Sequence, residues 1–234
     1  MAKLFGTDGI RAEAGRFPLD RETVAAIGRS LAERMRERLG RDVKIVTGRD
    51  TRESGGWIES ELCGGATAAG AKCKSAGVIT TPGVAFIAAE FAFDLGVVIS
   101  ASHNPFYDNG IKAFLPSGRK IDEGLEKLIE EDIEVGPPSS EGLGETSIDA
   151  GNEGEFRRAY LEHLAGATDA RLDGVKIAID CAHGAASKIA PHLFRTLGAD
   201  VIAFNDQPDG RNINDNCGST APANAVSSEL MRRG

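Results

Sequence analysis

The stretch LGVVISASHNP, residues 95–105, runs from a short apolar segment directly into a loop of hydroxyl, imidazole and amide side chains. An apolar run of this length that ends on polar residues and proline is typical of a strand buried on both faces of a sheet. In open α/β sheets, ligands bind beyond the carboxyl ends of such strands. The stretch therefore predicts a central strand over residues 95–100 and a candidate site in the loop that follows it.

The segments before this strand alternate between helical and extended patterns. Apolar residues at helical spacing follow the N-cap candidate Asp20 and stop at Gly40, which predicts the first helix. The patterns further predict strands at 43–47 and 75–79 and helices at 57–71 and 81–91. Strands separated by helices of this length form a sheet covered on both faces. We therefore expect an α/β protein with a mixed, largely parallel sheet sandwiched between helices.

Residues 136–154 are rich in glycine, proline and serine and carry an acidic excess, which is typical of a linker. We place a domain boundary near residue 150, so that one domain spans residues 1–150 and the other residues 151–234. The second domain has predicted helices at 155–164 and 187–197, strands at 176–180 and 200–204, and a final helical pattern at 226–233. Two strands are too few for a covered sheet, so we expect a truncated second α/β domain.

The composition limits the class of protein. The 234 residues are 41% hydrophobic, and the net charge of −8 comes from residues 121–155, which hold twelve acidic side chains and one basic. This charge balance argues against binding of nucleic acid. It is compatible with binding of a small phosphorylated ligand in a locally basic pocket. The four cysteines lack C-x-x-C spacing, which argues against a zinc site or disulfides. Because the apolar runs are too short for a bilayer and the amino terminus has no signal-peptide core, we expect a cytoplasmic protein without membrane contact.

Ser102 lies in the loop after the central strand, with His103 beside it and Lys112 after a predicted turn at 108–110. This position suits a nucleophile or a phosphate carrier, although a polar turn with a hydrogen-bonded serine is the plainer alternative. A Ser-His hydrolase is disfavoured, because the G-x-S-x-G turn is missing and adjacent side chains leaving a strand point to opposite sides. Position alone leaves the role of Ser102 open.

The loop SASHNP at 100–105, followed by NGIK at 109–112, resembles the active-site loop of the phosphohexomutase family, whose serine carries the transferred phosphate. Three further stretches are similar to family motifs: FGTDGIR at 5–11, GRDTRESG at 48–55 and TTP at 80–82. Three stretches near the end resemble the branch of this family that acts on hexosamine phosphates. They are PDG at 208–210, NIN at 212–214 and CGS at 217–219. The resemblance extends over essentially the whole chain.

The resemblance implies that phosphorylated Ser102 converts glucosamine 6-phosphate into glucosamine 1-phosphate through a hexosamine bisphosphate. Arg11 and Lys112 match the family's cations, which would neutralise charge on the transferred phosphoryl group. His103 matches the histidine after the serine and would donate a hydrogen bond to the phosphate, and Thr7 would contact the same phosphate. One magnesium ion per complete enzyme, bound through the phosphate of Ser102, is implied as cofactor.

The chain departs from the family at its metal loop. The family's D-G-D-x-D-R pattern is missing, and no D-x-D-x-D occurs anywhere in the sequence. We reject GETS at 144–147 as a sugar-recognition loop, interpret DCAHG at 180–184 as a structural turn, and interpret 123–131, with Leu125, Leu128 and Ile129 inward, as a solvated surface helix. We therefore expect the amino-terminal half of the enzyme, inactive by itself, with Ser102 as its single metal ligand.

Two alternatives stay open at this stage. One is a mutase of the same family that acts on glucose or mannose phosphates, and the other is a catalytically silent binding or regulatory module. The sequence does not decide whether the protein forms a homodimer or whether Ser102 is phosphorylated.

Overall fold

The computed structural model describes residues 3–136 and 149–225. Its strands are β1 Ile10–Glu13, β2 Lys44–Arg49, β3 Lys72–Val78, β4 Leu95–Ile99, β5 Asp108–Phe114, β6 Lys176–Asp180 and β7 Asp200–Phe204. Its α-helices are α1 Arg21–Leu39, α2 Gly55–Ala68, α3 Thr81–Glu90, α4 Glu123–Val135, α5 Glu153–Gly166, α6 Ala190–Thr196 and α7 Pro222–Ala225.

A five-stranded sheet with the order β1-β5-β4-β2-β3 organises the first part of the chain. The strands β2, β3 and β4 run parallel, whereas β5 is antiparallel to both β4 and β1. The expected mixed α/β sheet is confirmed, and the sequence patterns missed β1 and β5. The predicted turn at 108–110 is wrong, because these residues begin β5.

The core lies on both faces of this sheet. One face packs against α1, α2 and α4, and its buried side chains include Ile45, Val97 and Ile99. The other face packs against α3 and α5 through side chains such as Val46 and Val98. All five residues of β4 are buried, as expected for a strand covered on both sides.

The helix ends follow from their capping residues. The carboxylate of Asp20 accepts a hydrogen bond from the amide of Thr23, and Gly40 ends α1 in the left-handed conformation with φ 67°. These are the predicted ends of α1. The acidic helix α4 buries Leu125 and Ile129 as expected, but Leu128 is 39% exposed and does not point inward.

The chain after residue 149 begins with α5, which buries Phe156 and Tyr160 against the α3 side of the five-stranded sheet. Beyond it, β6 and β7 form a parallel two-stranded sheet. The boundary near residue 150 stays a prediction. The rejected sugar-loop stretch at 144–147 and the helical pattern at 226–233 lie outside the described residues. Within residues 3–136 and 149–225, no helix is long and apolar enough to cross a membrane.

Candidate active site

Ser102 lies three residues beyond the end of β4, and its side chain is exposed. Its backbone has φ 56°, a left-handed conformation that is uncommon for a residue with a side chain. The amide of Ser102 donates to the hydroxyl of Ser100 at 3.0 Å, and that hydroxyl donates to the carboxylate of Asp50 at 2.6 Å. Among the described residues, none hydrogen-bonds the Ser102 hydroxyl. The loop therefore holds a strained backbone in place and leaves its hydroxyl accessible.

Arg52 lies beneath this loop and is only 1% exposed. Its Nε donates to Asp50 at 2.9 Å, and its four terminal N–H groups donate to backbone carbonyls of the loop. The acceptors are the carbonyl oxygens of Ser102, Asn104, Pro105 and Asp108. All five guanidinium donors are thus satisfied, which is the condition for burying such a charge. Arg52 forms the internal scaffold of the serine loop.

No pattern in the sequence indicated a role for Arg52. Arginine is rarely buried, and an arginine in a run of polar residues after a strand predicts a solvent-exposed side chain. The GRDTRESG stretch marked the segment but assigned no role to this residue. The missing information is the position of the loop carbonyls, which come from residues 50 to 56 positions later in the chain.

The two predicted cations, Arg11 and Lys112, are brought together on one face of the sheet. Arg11 pairs with Gly110 across the β1–β5 ladder, and Lys112 follows Gly110 by two residues, so both side chains project from the same face. Asp8 contacts both, at 3.3 Å from Arg11 and 3.5 Å from Lys112. The Nε of Arg11 is buried and has no hydrogen-bond partner among the described residues. Two cations converging on anionic oxygens meet the electrostatic requirement of a phosphoryl site.

The backbone connects this cation pair to the serine loop. The amide of Ser100 donates to the carbonyl of Gly110 at 3.0 Å, and Gly110 is the ladder partner of Arg11. Arg11 in β1, Gly110 in β5 and Ser100, the residue after β4, thus form one row. Ser102 lies two residues beyond this row.

Thr7 is exposed in a tight turn that links Gly6 and Gly9 through two backbone hydrogen bonds. Gly9 has φ 85°, and a Cβ there would lie 2.3 Å from the carbonyl oxygen of Ile111 and 3.2 Å from the Cα of Lys112. Only glycine permits this approach. The turn is therefore held against β5. Its Asp8, which directly follows Thr7, is the residue that contacts the cation pair.

His103 is exposed, and it faces a cleft of about 490 Å³ between the serine loop and the segment 211–220. Phe106, Tyr107 and Arg211 also line this cleft. The His103 side chain is therefore accessible from this cleft. No described residue hydrogen-bonds it, so its predicted contact with a phosphate stays a prediction.

The described residues 167–225, which follow α5 and are called the second unit below, contact the segment that carries Arg52. The amide of Glu53 donates to the carbonyl of Gly210 at 2.9 Å, and its carboxylate pairs with Arg211 at 2.7 Å. The hydroxyl of Thr51 donates to the carbonyl of His183 at 2.5 Å. Residues far apart in sequence therefore meet on one side of the serine loop.

The stretch 180–184 agrees with its interpretation as a structural turn. The carboxylate of Asp180 accepts from the amides of Ala182 at 2.9 Å and Gly218 at 2.7 Å. All four cysteines are free thiols, as expected from their spacing. Burial, together with the carboxylates of Asp206 and Asp180, raises the pKa of Cys181 to about 11, so this thiol stays protonated near neutral pH.

The described residues do not form a magnesium site by themselves. Within residues 3–136 and 149–225, no three His, Cys, Asp or Glu side chains are grouped so that they could hold a metal ion. The exposed carboxylate nearest the cation pair, Asp8, is already engaged by Arg11 and Lys112. Magnesium needs an octahedral set of oxygen ligands, and Ser102 supplies one position.

Comparison with known proteins confirms the resemblance. The family "Phosphoglucomutase/phosphomannomutase, alpha/beta/alpha domain I" matches residues 2–137. The chain is 48% identical over 223 residues to the phosphoglucosamine mutase of Solibacter usitatus, covering 94% of this chain and 49% of that protein. It is 46% identical to the phosphoglucosamine mutase of Mycolicibacterium paratuberculosis, again over 94% of this chain and 49% of that protein. The chain thus spans about half the length of the curated relatives it matches.

Solved structures agree with this assignment. A phosphoglucomutase/phosphomannomutase family protein from Burkholderia thailandensis is 26% identical and aligns with a TM-score of 0.71 over 89% of this chain and 45% of that one. A structure from Thermus thermophilus, 23% identical, shares the fold with a TM-score of 0.78 over 100% of this chain and 52% of its own. With the family match over more than half of its residues, the chain belongs to the phosphoglucomutase/phosphomannomutase family.

Proposed function

We propose that this chain carries the phosphorylated serine of a phosphoglucosamine mutase, and that the whole protein interconverts glucosamine 6-phosphate and glucosamine 1-phosphate. The observation that carries the proposal is the exposed hydroxyl of Ser102, two residues from the row that contains Arg11. The names of the relatives that are 46–48% identical support the choice of a hexosamine phosphate. We further propose two domains, residues 1–150 and 151–234. Cytoplasmic location stays a prediction, and a homodimer stays open.

The proposed reaction consists of two phosphoryl transfers. In the first, the bond between phosphorus and the Ser102 oxygen breaks as a bond forms to the C1 oxygen of glucosamine 6-phosphate, and the proton of that hydroxyl leaves. The resulting bisphosphate then reorients within the site, so that its C6 phosphate faces Ser102. In the second, the Ser102 oxygen accepts the phosphoryl group from C6, the sugar oxygen regains a proton, and glucosamine 1-phosphate is released.

The residues around Ser102 have distinct proposed tasks. The planar guanidinium of Arg11 binds two phosphoryl oxygens. Lys112 contributes a compact charge and exchanges a proton with the reacting oxygen. In the free protein Asp8 contacts both cations but supplies a single negative charge, and a phosphoryl group takes over the position of that carboxylate. His103 and Thr7 donate further hydrogen bonds to the same phosphate.

Magnesium is a proposed cofactor of the whole protein, with the phosphate on Ser102 as the ligand that comes from this chain. When bound, a divalent ion neutralises charge on the transferred phosphoryl group. The described residues alone do not accommodate it, so none of the steps above is routed through the ion.

The experiment uses the natural protein that contains this chain, as parent and as Ser102→Ala. Turnover is measured with the 6-phosphates of glucosamine, glucose and mannose, each with magnesium and a bisphosphate activator. Phosphate on the protein is mapped by mass spectrometry. Ser117→Ala, in an exposed turn, serves as the matched control.

We expect the parent to prefer the glucosamine substrate, and Ser102→Ala to lose at least about a thousandfold in kcat together with the protein-bound phosphate. Ser117→Ala retains both. Phosphate mapped to Ser100, with Ser102→Ala still active, would overturn the assignment. Preference for glucose or mannose phosphate would replace the proposed substrate, and no turnover with any of them would favour a silent binding module.

A further inference from the structure

Two carbonyl oxygens of the serine loop each accept two hydrogen bonds from different parts of the chain. The carbonyls of Ser102 and Asn104 both accept from the Nη2 of Arg52 at 2.9 Å. The same two oxygens accept from the Nδ2 of Asn214, at 2.9 Å and 3.1 Å. A carbonyl oxygen has two lone pairs, so both acceptors are saturated. The loop is held from below by a buried arginine and from the second unit by an asparagine.

Asn214 is held in place by its own unit. Its backbone has φ 61°, which asparagine tolerates better than most residues. Its backbone N–H donates to the carbonyl of Ala182 at 3.0 Å. Neighbouring contacts, from Thr51 to His183 and from Glu53 to Arg211, join that unit to the segment that carries Arg52. The side-chain amide of Asn214 therefore reaches the serine loop only when the second unit is docked against the segment that carries Arg52.

Fixing the Ser102 carbonyl also fixes the direction of the next amide. In a trans peptide the C=O and N–H bonds point in opposite directions, so the amide of His103 points away from both Arg52 and Asn214. This orientation sets how the adjacent Ser102 side chain leaves the backbone. A change at the Ser102 carbonyl would rotate this peptide plane, and the reacting oxygen would move with it.

We propose that Asn214 is a positioning residue that couples docking of the second unit to the orientation of the phosphate-carrying serine. The inference rests on the proposed function, since it assigns Asn214 a task in phosphoryl transfer by Ser102. Asn214 does not touch the reacting atoms. It holds the loop in the conformation seen here, and transfer slows when reacting groups are no longer held in line.

Asn216 provides a matched control in the same segment. It also has a left-handed backbone, with φ 52°, and its Nδ2 donates to the neighbouring carboxylate of Asp215 at 2.9 Å. It has no hydrogen bond to the serine loop. Replacing either asparagine with aspartate keeps the shape and adds one charge, but only Asn214→Asp turns an acceptor toward the two loop carbonyls.

Hydrogen exchange on residues 1–234 tests the contact without any need for mutase activity. The amides of Ser102, Asn104 and Asp108 are hydrogen-bonded within the loop and report on its opening. We expect Asn214→Asp to accelerate their exchange about tenfold, with amides of β2 and β3 unchanged. Asn214→Ala, which removes the donor without adding charge, should act in the same direction. Equal effects from Asn214→Asp and Asn216→Asp, or no effect from either, would overturn the proposal.

Kinetics of the natural protein test the positioning task. We expect Asn214→Asp to lower kcat about tenfold with KM within about twofold, because the loop is misoriented while the substrate contacts remain. Asn216→Asp should match the parent. Faster loop exchange with unchanged kcat would overturn the positioning role. If the parent itself lacks mutase activity, the proposed function fails, and the exchange experiment still decides whether Asn214 holds the loop.

Discussion

Replacing Arg52 with lysine removes the fork that organises the serine loop while it keeps the positive charge. The guanidinium makes five hydrogen bonds from three nitrogens, whereas an ammonium has three donors on a single nitrogen. At least two charge-assisted bonds are therefore lost, and each contributes about 1.5–3 kcal/mol. Because Arg52 is 1% exposed, water does not replace them. We expect the free energy of unfolding to fall by about 3–6 kcal/mol, the sum for two such bonds.

Urea unfolding of residues 1–234 measures this loss, with fluorescence of Trp57, the single tryptophan, as the signal. For a slope of about 2 kcal/mol per molar urea, the midpoint should fall by about 1.5–3 M. Arg16→Lys is the control, since that side chain is 74% exposed and, among the described residues, forms an ion pair only with Glu13. Its change should stay within about 0.5 kcal/mol. A midpoint for Arg52→Lys within about 0.5 M of the parent would refute the scaffold role.

Arg11→Ala and Lys112→Ala in the natural protein should lower kcat more than they raise KM, because their charge is needed most in the transition state; a loss confined to KM would make them ordinary binding residues. Gly9→Ala should destabilise the chain by about 2 kcal/mol or more in urea unfolding, whereas Gly15→Ala, also at positive φ but with open space around it, should cost only about 1 kcal/mol; equal losses would contradict the close-approach argument. Burial opposes ionisation of Asp132, but hydrogen bonds from Arg34 and Ser30 outweigh burial and lower the pKa of this carboxyl. The ionised Asp132 therefore stabilises the fold fully above about pH 4, and this stabilisation is lost as the pH falls through the lowered pKa. The stability difference between parent and Asp132→Asn should therefore narrow in acid, and a constant difference from pH 7 to pH 2 would show that the charge plays no part. Residues 1–234 alone should show negligible mutase turnover, and a rate within about tenfold of the natural protein would contradict this.

Sequence patterns correctly predicted the helix ends and strands that depend on interactions between neighbouring residues. The N-cap of Asp20, the left-handed Gly40 and the apolar run of β4 each act over a few residues, and the structure has them where the patterns predict. The two missed strands, β1 and β5, are short or begin on Asp-Asn-Gly, which is also typical of a turn. They form strands because pairing with each other and with β4 satisfies their backbone groups.

The same division holds at the site. The motif-bearing residues Ser102, Arg11 and Lys112 could be named from the sequence, because their residue types and order carry the resemblance. Arg52 and Asn214 could not, since they act on carbonyl oxygens about 50 and 110 residues away in the chain, and a carbonyl is present at every residue. Only the folded chain selects which carbonyls meet a buried guanidinium and an asparagine amide. Residue types and their order along the chain thus point to the groups that we propose to carry the chemistry. How these groups are held depends on the folded chain, because hydrogen bonds between distant residues form only when the whole sheet is packed.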